Sequence, residues 1–269
     1  MDIVCIRQSV DWANMTKEKF LSQYFPYAQN YWNYAKNKVF ETMKIWDENL
    51  NISYFDYRAE LKKITFKNLK LINCDIIENN YIDFKKYSLF IPMDDDDWLS
   101  PDVFEEIKRH QETNKNVDVF FWNHTTLNWN GEIKIYKEKK LFSNNFAITN
   151  KGLKKIINLK NKEKFKDSVA IDPLYPHYYV HRRIFKTKFS EKEGELPKIN
   201  EEFKIYYIDK QLNISNKSIC SVSEILKSND IIKNIKYIKE KKIKNYLWAN
   251  SSIKHLNSLN KFLKIKKII

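Results

Sequence analysis

The sequence predicts an α/β domain with a basic helical extension, and three patterns carry that prediction. Through the first 110 residues, short apolar runs alternate with stretches in which apolar residues recur every three or four positions. That is the pattern of strands interleaved with helices. Beyond them strand-like segments dominate, which adds an antiparallel part to the sheet. The last stretch is rich in lysine, with apolar residues at helical spacing. The expected division is a domain over 1–225 and a basic amphipathic helical tail over 226–269.

Each element follows from local pattern. Asp2–Arg7 is an apolar first strand. From Thr16 to about Trp46 the spacing of Phe20, Tyr24, Tyr27, Tyr31, Tyr34, Val39, Met43 and Trp46 predicts helix, broken near Pro26. Ile52–Phe55 reads as a strand ending at Asp56, and Leu71–Cys74 as another. Tyr87–Met93 is almost wholly apolar, as expected of a strand buried on both faces, and Pro92 puts it near its end. Ser100 then caps a helix over Pro101–His110, with Pro101 at its first position. Val117–Trp122 and Glu132–Lys137 are strands around an Asn130-Gly131 hairpin turn. Thr149–Leu159 reads as helix, and Ile205–Ile208 and Ile219–Val222 as a strand pair.

Composition excludes several function classes. The chain has 3 glycines, Gly131, Gly152 and Gly194, where ordinary usage predicts about 19. No Gly-rich phosphate loop of any known type fits that scatter. The formal charge is +14, but residues 231–269 hold eleven lysines against one glutamate, net +10, which leaves +4 on the other 230 residues. Only Arg7, Arg58, Arg109, Arg182 and Arg183 among 48 cations are arginine. Bidentate readers of phosphate and guanine favour arginine, so the basicity argues against nucleic acid as the partner. Cys5, Cys74 and Cys220 are odd in number and widely spaced, which reads as free thiols in a reducing compartment. No segment reads as a signal peptide or membrane span, and the expected location is cytoplasmic, peripheral to the inner face of a membrane.

The chemistry concentrates in Asp94-Asp95-Asp96-Asp97-Trp98-Leu99-Ser100-Pro101, directly after the apolar strand. Neighbouring carboxylates repel by about 1 kcal/mol per pair at ~4 Å in water, and by more beside a low-dielectric wall. A structural turn gains little from that; a divalent cation removes it. Extended-chain alternation places Asp94 and Asp96 on one side and Asp95 and Asp97 on the other. One pair can face a metal while the other anchors the loop or caps the following helix. Oxygen-only ligands suit Mg²⁺ or Mn²⁺, and in open α/β sheets ligands sit just beyond the carboxyl ends of strands.

The stretch Leu89-Phe-Ile-Pro-Met-Asp-Asp-Asp-Asp-Trp-Leu-Ser-Pro resembles the DxD segment of GT-A-fold glycosyltransferases of bacterial, family-2-like type. Ser143-Asn-Asn-Phe-Ala-Ile-Thr-Asn-Lys-Gly is similar to an acceptor-side segment of some members. The resemblance implies a GT-A-like (Rossmann-like) mixed sheet flanked by helices. It implies a nucleotide-sugar donor and Mn²⁺ or Mg²⁺ held by Asp94 and Asp96, with His181 as a late further ligand. It places Arg7, Asp56, Asp94, Asp95, Trp98 and Arg182 at the donor. In members that invert, a carboxylate base serves the acceptor hydroxyl, and Asp172, held extended before Pro173, is the candidate; Asp167 is its rival. Two departures stand out: Arg7-Gln8-Ser9 replaces the usual small-residue donor loop, and the flank of Asp56 is Tyr54-Phe55-Asp56-Tyr57-Arg58. The expected acceptor is a growing bacterial surface glycan, capsule or lipooligosaccharide, free or lipid-linked. An anionic membrane surface is the candidate partner of the tail. The rival readings are a metal-dependent phosphotransferase and a non-catalytic, membrane-associated cation-binding module.

Overall fold

The computed structural model describes residues 2–7, 11–16, 18–19, 31–50, 53–78, 86–128, 132–136, 145–155, 203–217, 233–236 and 264. Their strands are β1 (Ile3–Arg7), β2 (Asp75–Glu78), β3 (Leu89–Pro92), β4 (Trp98–Leu99), β5 (Val119–Asn128), β6 (Ile133–Tyr136), β7 (Phe146–Thr149), β8 (Ile205–Gln211) and β9 (Asn213–Lys217). The helices are α1 (Tyr31–Asn49), α2 (Tyr54–Leu71) and α3 (Val103–Thr113), and a 3₁₀ turn spans Trp12–Asn14. The result is a mixed α/β sheet, in agreement with the predicted class.

The strands run in the order β2-β1-β3-β7-β5-β9-β4, with β6 and β8 also paired to β5. β1 is parallel to both β2 and β3, and β7 is antiparallel to both β3 and β5. β3 is an interior strand, between β1 and β7, and all four of its residues are buried, as its unbroken apolar run requires. β5 is the longest strand. Its first half pairs with β7 and β8 and its second half with β6 and β9, with a register shift between Trp122 and Asn123. That irregularity curls the sheet and carries β9, with β4 on its far edge, around the acidic segment. Ile3, Cys5, Leu69, Leu89, Ile91, Leu99, Val103, Ile107, Phe120 and Trp122 belong to one buried cluster on the helix side.

Two expected strands are corrected. The predicted strand Ile52–Phe55 falls largely on α2: the Ser53 hydroxyl accepts the Asp56 N–H at 3.1 Å and donates to the Asp56 carboxylate at 2.7 Å, a helix-starting cap. Leu71–Cys74 is the end of that helix, where Asn73 at φ 55° turns the chain before β2. The helix expected over Pro101–His110 is Val103–Thr113, with Asp102 rather than Ser100 at its N-cap. β7 and β9 were not foreseen; of Thr149–Leu159, residues 150–155 are helical. The break near Pro26, the Asn130-Gly131 turn and the strand Ile219–Val222 lie outside the described residues. Among the described residues, no helix is long and apolar enough to cross a membrane. Cys5 is buried and Cys74 partly buried, both free; a hydrogen bond with Cys74, and then burial, push the Cys5 thiol well up. Cys220 lies outside the described residues.

Candidate functional site

The strand order 2-1-3 makes β1 a switch point, because one connection leads to each side of it. A crevice opens at such a point beyond the carboxyl ends of the strands. β1 ends there at Arg7 and β3 at Pro92, and the acidic run follows at once. Its far end is held down: β4 pairs with β9 through Trp98↔Ile214 and Leu99↔Asn213, and the Ser100 N–H donates to the Leu212 carbonyl at 2.8 Å. Asn68 of α2 accepts the Leu99 N–H at 3.1 Å.

Within this frame the run is a turn and not the extended chain expected, with the Asp97 N–H directed at the Asp94 carbonyl at 3.4 Å. Arg58 binds Asp95 and Asp96 together, which strict alternation would have set on opposite sides. Asp95 and Asp97 are buried at 5% and 2% exposure, Asp94 is exposed and Asp96 half-buried. Asp95 anchors to the domain through three contacts: Arg58 Nη2 donates to Oδ1 at 2.7 Å, Trp12 Nε1 donates to Oδ2, and the Thr65 hydroxyl donates to its carbonyl at 2.8 Å. Asp97 Oδ1 accepts the Asn216 N–H of β9 at 2.9 Å. Burial, and then the Asp94 and Asp96 charges, push the Asp97 carboxyl well above the usual carboxylate range, against the pull of Lys217 and the Asn216 N–H. The run is thus a fixed loop, sewn to α2, to the 3₁₀ turn and to β9.

Arg58 lies at the centre of this stitching, a role that its place in the flank of Asp56 does not suggest. Its Nη1 donates to Asp96 Oδ2 at 2.7 Å while Nη2 holds Asp95. The guanidinium lies 4.7 Å from the centroid of the Trp12 ring, which itself stacks on Phe55 at 6.4 Å. A signal was present in the composition. In a chain with five arginines among 48 cations, an arginine retained in an aromatic helix start is where a bidentate fork is needed. Trp12 had no comparable signal.

The remaining expected site residues fall as follows. Asp56 sits exposed in the first turn of α2, engaged with Ser53. Trp98 is buried at 5% exposure and packs as a sheet residue. Arg7 closes β1; its side chain lies outside the described residues, as do Asp167, Asp172, His177, His181, Arg182 and Arg183.

Among the described residues, no three His, Cys, Asp or Glu side chains gather as a group that could hold a metal ion. What the loop offers is smaller: the outward carboxylate of Asp94, and Asp96 with Oδ2 already engaged by Arg58. Two hard carboxylate donors suit Mg²⁺ or Mn²⁺ in the common arrangement where phosphates and water complete the shell. No protein-family model matches this chain, and no curated protein does.

Proposed function

We propose that the chain is a metal-dependent glycosyltransferase of GT-A-like fold, transferring a sugar from a nucleotide-sugar to a hydroxyl of a growing bacterial surface glycan. One observation carries the reading: the acidic loop lies beyond the carboxyl end of β3, at the switch point, with Asp94 exposed, Asp95 and Asp97 anchored, and Asp96 held beside Asp95 by Arg58. A solvated acidic turn has no need of such anchoring. A ligand site does, because the carboxylates that meet a ligand must be held in place before it arrives.

In this reading Asp94 and Asp96 hold Mn²⁺ or Mg²⁺ and, through it, the donor diphosphate. The cation supplies Lewis-acid stabilisation of charge on the departing diphosphate. Asp95 and Asp97 keep the loop rigid through Arg58, Trp12 and Asn216. Asp172 takes the proton of the acceptor hydroxyl, and Arg182 and His181 stand near the diphosphate; these assignments rest on the motif resemblance alone. The net +10 charge of residues 231–269 suits an anionic membrane surface that presents lipid-linked acceptor, while Ile235 is buried and is no part of the face that would meet it.

The test is thermal stabilisation by UDP, GDP and CDP, each with and without Mn²⁺. A Mn²⁺-dependent rise with one of them supports the transferase and names the donor base. No response to any nucleoside diphosphate, with the chain folded, refutes it.

A further inference from the structure

Resting on the transferase reading, we propose that Arg58 is a built-in counter-cation of the acidic loop. It keeps the affinity for a divalent cation alone low, and so makes cation binding depend on the diphosphate. The guanidinium spans the loop at two points, Asp95 Oδ1 and Asp96 Oδ2, each at 2.7 Å. All three side chains are nearly enclosed, at 9% exposure or less. Trp12 closes one face of the guanidinium at 4.7 Å and donates to Asp95 as well. Within this enclosure Arg58 cannot shed its charge. It withdraws one oxygen of Asp96 from other cations.

Two physical consequences follow. A fixed positive charge in direct contact with a candidate ligand repels any second cation, and does so strongly in a site so poor in water. The exposed carboxylate of Asp94 and the second oxygen of Asp96 are also too few to complete the shell of a divalent ion, which takes phosphate oxygens as well. A nucleoside diphosphate supplies both the missing ligands and the negative charge that offsets Arg58. Cation and nucleotide thus enter as a unit, and the empty site does not trap free metal.

The experiment titrates Mn²⁺ alone into the full chain and follows the free-ion EPR signal, comparing wild type with Arg58→Met and Arg58→Lys. Wild type is expected to bind Mn²⁺ weakly, in the millimolar range. Arg58→Met should bind it at least tenfold more tightly, because Asp95 and Asp96 lose the charge of the guanidinium. Arg58→Lys, which keeps the charge, should stay near wild type. Each titration is repeated with saturating UDP, GDP or CDP, and the gain in Mn²⁺ affinity from nucleotide should shrink in Arg58→Met. Unchanged or weaker Mn²⁺ binding by folded Arg58→Met overturns the proposal. Should Arg58→Met not fold, wild type still decides: micromolar binding of Mn²⁺ alone overturns the proposal, and tight binding only with nucleotide supports it. If no nucleotide changes the Mn²⁺ affinity of wild type, the transferase reading fails, while the comparison with Mn²⁺ alone still judges Arg58.

Discussion

Replacing Asp95 and replacing Asp94 should have opposite consequences, although the two residues are neighbours of the same type. Asp95→Ala removes a carboxylate that is 5% exposed and engaged by Arg58 at 2.7 Å and by Trp12. Breaking one side of a buried ion pair costs about 3–5 kcal/mol, because the other charge is left uncompensated. Arg58 retains Asp96 at 2.7 Å, so the lower end, ~3 kcal/mol, is the better figure. At about 2–4 °C per kcal/mol for a chain of this size, Tm should fall by roughly 6–12 °C. Asp94 is exposed and flanks other negative charge. Asp94→Ala should therefore lie within about 0.5 kcal/mol of wild type, or be slightly more stable in the absence of metal. Function should show the reverse order: Asp94→Ala loses Mn²⁺-dependent stabilisation by nucleotide while remaining fully folded. The assay is urea denaturation and thermal melting in EDTA, then again with Mn²⁺ and nucleoside diphosphate. Equal Tm losses in the two variants would refute the separation of anchor and ligand acids.

Three further outcomes are expected. Gly152→Ala should lower Tm by several degrees, since its Cβ would lie 2.4 Å from the Asp118 carbonyl oxygen and 3.0 Å from its carbon, and overpacking of this kind costs about 1–3 kcal/mol; Lys154→Ala, exposed on the same turn, is the neutral control. Stability should decline on acidification from about pH 6.5. His110 is held below its ordinary value by burial and then by Arg109, and Glu106 below its own by Lys210 and Arg109 despite burial. Both folded pKa values are depressed, so both contributions are present above the unfolded values and lost as pH falls through the folded ones. Urea titrations should show a flatter acid limb in His110→Asn and Glu106→Gln, and unchanged slopes would count against these assignments. A chain ending at Asp230 should lose affinity for anionic but not neutral liposomes, read by co-sedimentation at low and high salt; it should also be less stable, because Ile235 is buried.

The parts of the fold that could be read from sequence are those where one local signal acted alone. β3 announced itself by an unbroken apolar run ending at Pro92; the acidic run is a turn, so the two-residue period of an extended chain did not describe it. Where two local signals competed, the weaker was followed. Ile52, Tyr54 and Phe55 have the composition of a strand, but Ser53 and Asp56 form a reciprocal cap, and the helix prevailed. β9 was invisible for a different reason. It reads Asn-Ile-Ser-Asn-Lys, yet Asn213, Ser215 and Asn216 are buried at 5% exposure or less. Its place is secured by pairing with β4 and β5 and by the bond from Trp122 Nε1 to Asn213 at 2.9 Å, none of which leaves an apolar period.

Arg58 marks the limit of local reading. It meets its partners across 37 and 38 positions of chain, so no window of sequence contains the contact. In sequence the acidic run is a bare negative loop of four unopposed charges awaiting a cation. With Arg58 in place the loop is already partly neutralised, and the same Coulomb reasoning leads elsewhere. Repulsion among the carboxylates no longer demands a metal for the fold to form. On the transferase reading, the demand for a cation moves from folding to ligand binding, where a diphosphate brings further negative charge. A metal requirement in this chain should therefore appear in nucleotide affinity and turnover, and only weakly in the stability of the protein alone. Strong stabilisation of the wild-type chain by Mn²⁺ without nucleotide would show instead that the loop still behaves as the unopposed cluster its sequence suggests.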